Sequence, residues 1–376
     1  MTGEPVTAAM ALTPRAVDPA TIERELARLW MPARQAPGDP QPPTRACMSN
    51  LIVFCSVPHA APSVAQEIAA VVHRHPARVL LLVAGADDLL SDVEAHVTAQ
   101  CHLAPGGRQI CSEHVTISVG ADGVRRLPSV TRSLLIGDLP TALWWVSGDA
   151  PLHGGAVFDE LAALAGQVIY DSAGWTDTVR DLVGMARWAL AADRQRVVAD
   201  LAWRRLTAWR SLIGQSLDPA VVPNALQRIT EVTVQHGPHG LPQACFLVGW
   251  LATSLGWESA GGSMKPGAEL MWRFRAPAGV VRTVVRRLEA GEAEVHSAQI
   301  SWGDGGRSAT ATFERLAPEK LAVHGDAALP SRTLRTPPQR RESLVAEQLP
   351  DLDHDRLFRR VLEVSRTMAE ALLPAV

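Results

Sequence analysis

Arginine and tryptophan recur together in one short stretch of this sequence, and their spacing suggests a binding role. Trp203, Arg205, Trp209 and Arg210 fall within the run DLAWRRLTAWR. On a helix, Arg205 and Trp209 are four residues apart, a spacing that permits a cation–π contact. Tryptophan and arginine on one surface are typical of protein–protein hot spots. The pattern predicts partner binding by these four residues; in the alternative, both indoles are core residues and the arginines are solvated.

A second group of tryptophans follows a turn in the run from Ser133 to Pro151. The turn contains Asp138, and the apolar segment after it contains Trp144 and Trp145. An indole offers a large apolar face with a single N–H donor, so it suits packing and recognition better than proton transfer. We therefore expect these three residues to contribute to a partner-binding surface.

Motifs that hold nucleotides, metals or catalytic nucleophiles do not occur in the sequence. It contains no G-x-G-x-x-G, no G-x-x-x-x-G-K-[ST], no H-E-x-x-H and no G-x-S-x-G. We therefore expect no catalytic residue, no cofactor and no metal. The alternative is an enzyme or sensor that binds a sugar phosphate or nucleotide at the carboxyl edge of a parallel sheet. Asp138 or Asp171 would then be the polar anchor.

The composition favours a globular protein, and its nearly balanced charges point to no class of highly charged partner. The 376 residues are 47% hydrophobic and 20% charged, and 36 Lys and Arg nearly balance 39 Asp and Glu. A balance of this kind creates no general attraction for nucleic acid or for an anionic membrane. No apolar run reaches the roughly 20 residues that span a bilayer. The sequence therefore predicts a protein that binds neither nucleic acid nor membrane.

The five cysteines are an odd, scattered set without a C-x-x-C motif. Such a set suggests neither a disulfide framework nor a zinc site, so we expect a reduced, cytoplasmic protein. Cys101 and Cys111 could form a redox pair across a loop. Buried, unreactive thiols are favoured for this pair, because no local cluster of basic residues lowers the thiol pKa.

Strand and helix patterns alternate through the first half of the chain. The predicted strands are Met48–Val57, Ala77–Ala84, Cys111–Val119, Thr141–Val146 and Val168–Tyr170, and the predicted helices are Ala61–His73, Asp87–Ala99, Gly123–Leu134 and Phe158–Ala165. This alternation predicts an α/β fold with an N-terminal open, largely parallel sheet and flanking helices. A mostly helical segment, Thr176–Ser216, follows, with a candidate break at Asp193.

The pattern changes near residue 217, which predicts a second domain of the α+β class. A strand at Ile229–Gln235 and a buried helix at Cys245–Trp257 precede four strands joined by hairpin turns, an antiparallel meander. We predict four regions: an N-terminal helix and proline-rich arm at 1–45, the α/β domain with its Trp-rich helical extension at 46–216, the α+β domain at 217–330, and a Pro/Arg linker with a C-terminal helix at 331–376.

A series of short motifs is spread over the chain. The motifs are Asp138-Leu139-Pro140 with Leu143-Trp144-Trp145, His75-Pro76-Ala77-Arg78, Cys111-Ser112-Glu113, Asp171-Ser172, Asp200-Leu201 with Trp203, Leu206-Thr207 with Trp209-Arg210, and Gly249-Trp250-Leu251. Together they resemble the OpcA family of glucose-6-phosphate dehydrogenase assembly proteins. The resemblance implies a non-catalytic protein that binds glucose-6-phosphate dehydrogenase. It also implies an allosteric activator that favours the active form of that enzyme and so supports the oxidative pentose phosphate pathway and NADPH supply.

Overall fold

The apolar run Ala77–Ala84 forms a strand in which every residue is buried, as expected for a parallel strand covered on both faces. The computed structural model that contains it describes residues 6–11, 18–29, 44–85, 93–103, 109–191, 196–265, 269–304, 306–326 and 329–373. The chain divides into two units. Unit 1 comprises Met1–Tyr170, Gln195–Ala199 and Arg341–Asp353, and unit 2 comprises Asp171–Arg194, Asp200–Arg340 and His354–Val376.

Unit 1 is built on a nine-stranded sheet. Its strands are β1 (Val6–Ala11), β2 (Thr44–Arg45), β3 (Ser49–Cys55), β4 (Ala77–Ala84), β5 (Glu94–Leu103), β6 (Gln109–Val119), β7 (Thr141–Val146), β8 (Gln167–Tyr170) and β9 (Val197–Asp200). Their order is β1-β5-β6-β4-β3-β7-β8-β9, with β2 beside β6. The pairs from β6 through β8 are parallel, whereas β5 pairs antiparallel with β6 and β1.

The helices of unit 1 are α1 (Pro19–Leu29), α2 (Ala61–Arg74), α3 (Leu127–Leu134), α4 (Gly155–Leu164) and α9 (Arg341–Gln348). A 3-10 turn at Ala121–Arg126 precedes α3. Counted along the chain from β3 and leaving out β5, the strands from β6 to β9 stand in the order third, second, first, fourth, fifth, sixth. That order is the doubly wound arrangement, in which the strand order reverses between β3 and β7.

Unit 2 is built on an eight-stranded sheet of order β11-β12-β13-β10-β14-β15-β16-β17. The strands are β10 (Ile229–His236), β11 (Glu258–Lys265), β12 (Glu269–Ala276), β13 (Gly279–Arg287), β14 (Val295–Asp304), β15 (Arg307–Ala317), β16 (Lys320–Gly325) and β17 (Arg332–Arg335). All pairs are antiparallel except β10 with β13. The four predicted strands are present, but β10 lies between β13 and β14, so the predicted hairpin between those two strands does not form.

The helices of unit 2 are α5 (Thr178–Ala191), α6 (Leu201–Arg205), α7 (Thr207–Ser216), α8 (Leu241–Leu255) and α10 (Arg356–Glu370). Helix α8 ends at Gly256, whose φ of 67° lies in the left-handed region that favours glycine. No described helix in either unit is both long enough and apolar enough to cross a membrane.

The structure confirms the predicted fold class and corrects two element assignments. Residues 94–99, predicted as part of a helix at Asp87–Ala99, belong to strand β5, and 86–92 lie outside the described residues. The helical segment Thr176–Ser216 is interrupted by strand β9. Residues 171–191 and 200–216, assigned above to the first domain, lie in unit 2, and 341–353 lie in unit 1. The proline-rich arm at 32–43 lies outside the described residues.

Cys101 and Cys111 form a disulfide, which corrects the preference for two free thiols. The two residues stand directly opposite each other on the antiparallel strands β5 and β6. Direct opposition places their side chains on one face at bonding distance.

Candidate interaction site

Both tryptophans of strand β7 are buried in unit 1. Trp144 is 0% exposed and Trp145 is 4% exposed. The Trp145 ring stacks on Phe54 with 4.0 Å between ring centroids. A Cβ at Gly154 would lie 2.6 Å from the Trp145 ring, so the indole requires glycine at that position. These indoles are packing residues. They can contribute to partner binding only indirectly, by supporting the surface residues above them.

Asp138 is exposed and lies at the amino end of β7. Its turn is held by Asn50, whose amide donates to the Ile136 carbonyl at 2.9 Å and whose side-chain oxygen accepts from the Ile136 N–H at 3.0 Å. The alternative hypothesis placed Asp138 at the carboxyl edge of the sheet. The structure places it at the opposite edge, because the turn precedes the strand.

A buried ion-pair network occupies the same amino edge of unit 1. Arg78, 4% exposed, donates to Glu113 at 2.8 Å and to Glu23 at 2.6 Å. Glu113 is fully buried and also pairs with Arg45 at 2.7 Å. Burial alone would lower the pKa of Arg78, but its contacts with Glu23 and Glu113 raise that pKa above its usual value. The His-Pro-Ala-Arg and Cys-Ser-Glu motifs therefore supply a structural cluster.

The carboxyl edge of this sheet does not fit a dinucleotide. In a doubly wound sheet the pyrophosphate lies against a glycine-rich turn after the first parallel strand, here β3, and on the next helix N-terminus. After β3 the chain forms a 3-10 turn at Pro58–Ala60 and enters α2 at Ala61. The segment 56–72 contains no glycine, and Pro58 and Pro62 have no N–H to donate. The residues present cannot supply the required backbone donors.

In unit 2, Arg210 lies flat on the indole of Trp203. The guanidinium carbon is 3.6 Å from the ring centroid. The indole N–H donates to Asp355 at 2.8 Å, and Asp355 also accepts from the Phe358 N–H at the start of α10. The Phe358 ring stacks beneath Trp203 at 5.4 Å between centroids. The structure thus brings together two of the predicted binding residues, and adds Asp355, whose position before an amphipathic helix marks it as an N-cap.

The charge of Arg210 is partly desolvated. Burial lowers the pKa of Arg210 to about 10, Asp355 opposes that shift, and Arg204 adds to it. The side chain therefore stays protonated at neutral pH. A partly desolvated cation on an indole face contributes up to about 2 kcal/mol. Trp203 is itself only 3% exposed, so it packs within unit 2 and Arg210 is the member of the stack that a partner can contact. The Trp203–Arg210 stack, with Asp355 and Phe358, is the candidate site.

The predicted contact between Arg205 and Trp209 does not form. Arg205 makes a two-pronged ion pair with Asp171, with both N–O distances at 2.7 Å. Trp209 is 0% exposed, and the guanidinium above its ring, at 5.9 Å, belongs to Arg315. Trp209 is therefore a core residue, and Arg205 is engaged within its own unit.

Asp200 is a buried carboxylate that was not among the predicted site residues. One side-chain oxygen accepts from the N–H groups of Ser172 and Ala202, at 3.1 and 2.9 Å. The other oxygen has no hydrogen-bond partner among the described residues. Burial first, and then the charge of Asp171, raise the pKa of Asp200 to about 7, although hydrogen-bond donors of Ser172 and Ala202 act in the opposite direction. The sequence signal was the position of Asp200 directly before helix α6, where an N-cap is expected.

We expect this raised pKa to give a measurable pH dependence of stability. The folded state binds the Asp200 proton more tightly than the unfolded chain, so stability is lost as pH rises from 3.8 towards about 7. Asp200→Asn removes this titration. Between pH 4.5 and 7.5 the free energy of unfolding, measured by chemical denaturation, should fall by about 1–3 kcal/mol more in wild type than in the variant. Asp177→Asn, at an exposed site on the segment before α5, is the control; parallel pH curves for wild type and Asp200→Asn would contradict the assignment.

Two family descriptions match this chain. Both are domains of the OpcA family. Residues 68–187 match the domain described as the N-terminal domain of a glucose-6-phosphate dehydrogenase subunit. Residues 196–362 match the domain described as the C-terminal domain of that subunit. The OxPP cycle protein OpcA of Nostoc punctiforme is 34% identical over 201 residues, which are 52% of this chain and 41% of that protein. The OpcA protein of Synechocystis sp. is 28% identical over 195 residues, 51% of this chain and 40% of that protein. The match spans less than half the length of these relatives.

Solved structures with a similar arrangement include an oxidoreductase from Sinorhizobium meliloti and Gal80p from Saccharomyces cerevisiae. The first gives a TM-score of 0.47 at 11% identity, covering 86% of this chain and 96% of that one. The second gives a TM-score of 0.48 at 7% identity, covering 86% and 95%. No residue role follows from similarities of this size.

Proposed function

Because the chain belongs to the OpcA family, whose two domains are described as domains of a glucose-6-phosphate dehydrogenase subunit, we propose that it binds this dehydrogenase. In this proposal it is a non-catalytic, cytoplasmic assembly factor that favours the active form of the enzyme in the oxidative pentose phosphate pathway. Its own chain supplies binding surface and no reacting group. The lack of fit between the turn after β3 and a pyrophosphate supports this assignment over the nucleotide-binding alternative.

The Trp203–Arg210 stack is the observation that carries the proposal. Arginine and tryptophan are the residue types most enriched among hot spots. Here the indole is fixed from below by Phe358 and from its N–H by Asp355, so the half-buried Arg210 is held in place before any partner arrives. A group that is already ordered loses little conformational entropy on binding. Arg210, held on the buried ring of Trp203, is therefore suited to a specific protein contact.

Activation follows if the dehydrogenase exists in two forms and this chain binds the active form more tightly. The population then shifts by the ratio of the two affinities and by no more. A partner with a 100-fold preference would convert an enzyme that is about 1% active into one that is about half active. The proposal therefore predicts a rise in the active fraction that saturates with the concentration of this chain.

We expect Arg210→Ala to weaken the effect on the dehydrogenase while the fold is retained. Losing a hot-spot arginine costs about 2 kcal/mol, so the concentration for half-maximal activation should rise about 30-fold. The measurement is a titration of this chain into the cognate dehydrogenase, with KM and kcat determined at each concentration. Arg180→Ala is the matched control, because Arg180 is 73% exposed and makes only a local pair with Asp177.

Three results distinguish the possibilities. If wild-type protein neither changes KM or kcat nor co-elutes with the dehydrogenase, the proposed function is wrong. If wild type activates and Arg210→Ala activates equally, the function stands and this site is wrong. If Arg210→Ala no longer activates the dehydrogenase but keeps the wild-type melting temperature, and Arg180→Ala activates as wild type does, both the function and the site are supported.

A further inference from the structure

The eight-stranded sheet of unit 2 has two faces of different character. Along β10, Val232, Val234 and His236 are buried. The alternating residues Glu231, Thr233 and Gln235 point to the other face and are only half-buried. Helix α8 contacts β10 and β13, and the apolar side chains show that it lies on the first face. We call the second face, carrying Thr233, the polar face.

The strand register defines the centre of the polar face. A row of side chains crosses six strands through directly opposed pairs. From β12 to β16 it comprises Met271, Val284, Thr233, Gln299, Thr312 and His324. Val284 is only 1% exposed, whereas Thr233, Gln299 and Thr312 carry hydroxyl and amide groups and no charge. The adjoining positions of β14 are Ser297 and Ser301. Depletion of charge at the centre distinguishes interface cores from ordinary solvated surface.

These polar groups bond to one another along the face. Ser297 donates to the Gln235 side chain at 2.9 Å, and the hydroxyls of Ser301 and Thr310 are 3.1 Å apart. A covered polar group destabilises a complex chiefly when it is left without a partner. Because these four side chains already have partners within the face, a second protein surface can cover them at low cost.

Charges of both signs surround this centre. Arg286 pairs with Glu269 at 2.6 Å, and Arg282 lies 3.9 Å from Glu231. On the other side of the face, His324 lies 3.6 Å from Glu314. A surface that binds its own copy about a twofold axis must be complementary to itself. Alternating cations and anions around a neutral centre meet that condition, whereas a face of one sign would repel its copy.

The shape and size of the face agree with such a contact. A cavity of about 500 Å³ is lined by Met271, Arg273 and Arg282, and Val280, which is 63% exposed, projects from the neighbouring strand on the same face. Eight strands about 4.8 Å apart, each presenting about four residues at intervals of about 6.7 Å, cover roughly 1,000 Å² in projection. This is above the roughly 800 Å² per partner of a standard stable interface.

We propose that the polar face of unit 2 binds the polar face of a second copy of this chain, forming a twofold sheet-on-sheet dimer. The proposal is independent of the dehydrogenase and of the Trp203–Arg210 stack. Two sheets packed in this way lie about 10 Å apart with their side chains interdigitated. A charge introduced at the centre would then be buried without a partner.

The test is the mass of the full chain by sedimentation equilibrium from about 1 to 100 µM. We expect wild type to have twice the chain mass of 40.4 kDa over this range. The double variant Thr233→Arg, Gln299→Arg should have a dimer dissociation constant raised at least about 100-fold, so that monomer appears at the lower end of this range, because burying an unpaired charge is unfavourable. Thr367→Arg, an exposed substitution on helix α10 of the same unit, should leave the dimer intact.

Each other outcome would overturn the proposal. A wild-type monomer at 100 µM would do so, as would a double variant that remains dimeric with an unchanged far-UV circular dichroism spectrum. If wild type is monomeric and the double variant loses activation of the dehydrogenase, the face belongs to that partner instead of a second copy. Folding of the double variant is checked by its melting temperature, since both substituted side chains lie on the polar face.

Discussion

Replacing Arg78 by methionine should lower the free energy of unfolding by about 3–5 kcal/mol, the usual loss when one member of a buried ion pair is removed. Arg78 is 4% exposed and its partner Glu113 is fully buried. The substitution also removes the donor to the Leu134 carbonyl at 2.8 Å and the contact with Glu23. Methionine keeps most of the side-chain volume, so the loss reports the charge and its hydrogen bonds. Chemical denaturation monitored by circular dichroism measures it.

Arg45→Met is the matched control for this prediction. Arg45 pairs with the same carboxylate, at 2.7 Å, but its side chain is 48% exposed. An exposed member of an ion pair contributes less than about 1 kcal/mol, because water screens its charge. Equal losses for the two variants would show that the amino-edge network is not organised around Arg78.

Trp209→Ala should lower the free energy of unfolding by about 3–5 kcal/mol, as expected when a fully buried aromatic side chain leaves a cavity. Trp209→Phe should remain within about 1 kcal/mol of wild type. The indole N–H of Trp209 is buried without an acceptor among the described residues. Phenylalanine removes that unsatisfied donor while it keeps much of the apolar volume. Melting and denaturant curves for the two variants test both expectations.

The neighbouring Arg210→Ala variant separates packing from binding on the same helix. Arg210 is half-buried and makes its contacts with the face of Trp203 and with Thr207, so its loss should affect stability less than Trp209→Ala. A small loss for Trp209→Ala, with loss of dehydrogenase binding, would mean that this indole contacts the partner directly. The buried position of the ring makes the opposite result the expected one.

The parallel strands could be predicted because burial on both faces leaves a continuous apolar run. Ala77–Ala84 and Thr141–Val146 were located to the residue for that reason. Strand β9 has only four residues and stands between helices, so no periodicity marks it. Strand β5 did carry a signal, since Ala95, Val97 and Ala99 alternate and are buried.

The error in β5 explains the error in the cysteines. Cys101 and Cys111 become direct neighbours only when the segments around them are paired as a hairpin. With 94–99 read as helix, that register could not be seen.

The sequence predicted that Trp203 and Arg210 belong to the candidate site, but it did not predict which arginine contacts which tryptophan. Helix α6 ends at Arg205 and α7 begins at Thr207, so the four-residue spacing between Arg205 and Trp209 does not hold across the junction. Arg210 on the second helix reaches back to Trp203 on the first. Burial of Trp144 and Trp209 was equally beyond the sequence, because core and interface indoles have the same residue type and similar neighbours.

The chain returns to unit 1 at residues 341–353 after it has formed the whole eight-stranded sheet. There, Arg341 pairs with Glu67 of α2 at 2.6 Å, and Gln167 donates to the carbonyls of Gln348 and Asp351. During translation, unit 1 therefore lacks helix α9 until nearly all of the protein has been synthesised. A premature stop codon shortly after position 340 would remove α9 from unit 1 as well as α10 from unit 2, so it would damage both halves of the polypeptide.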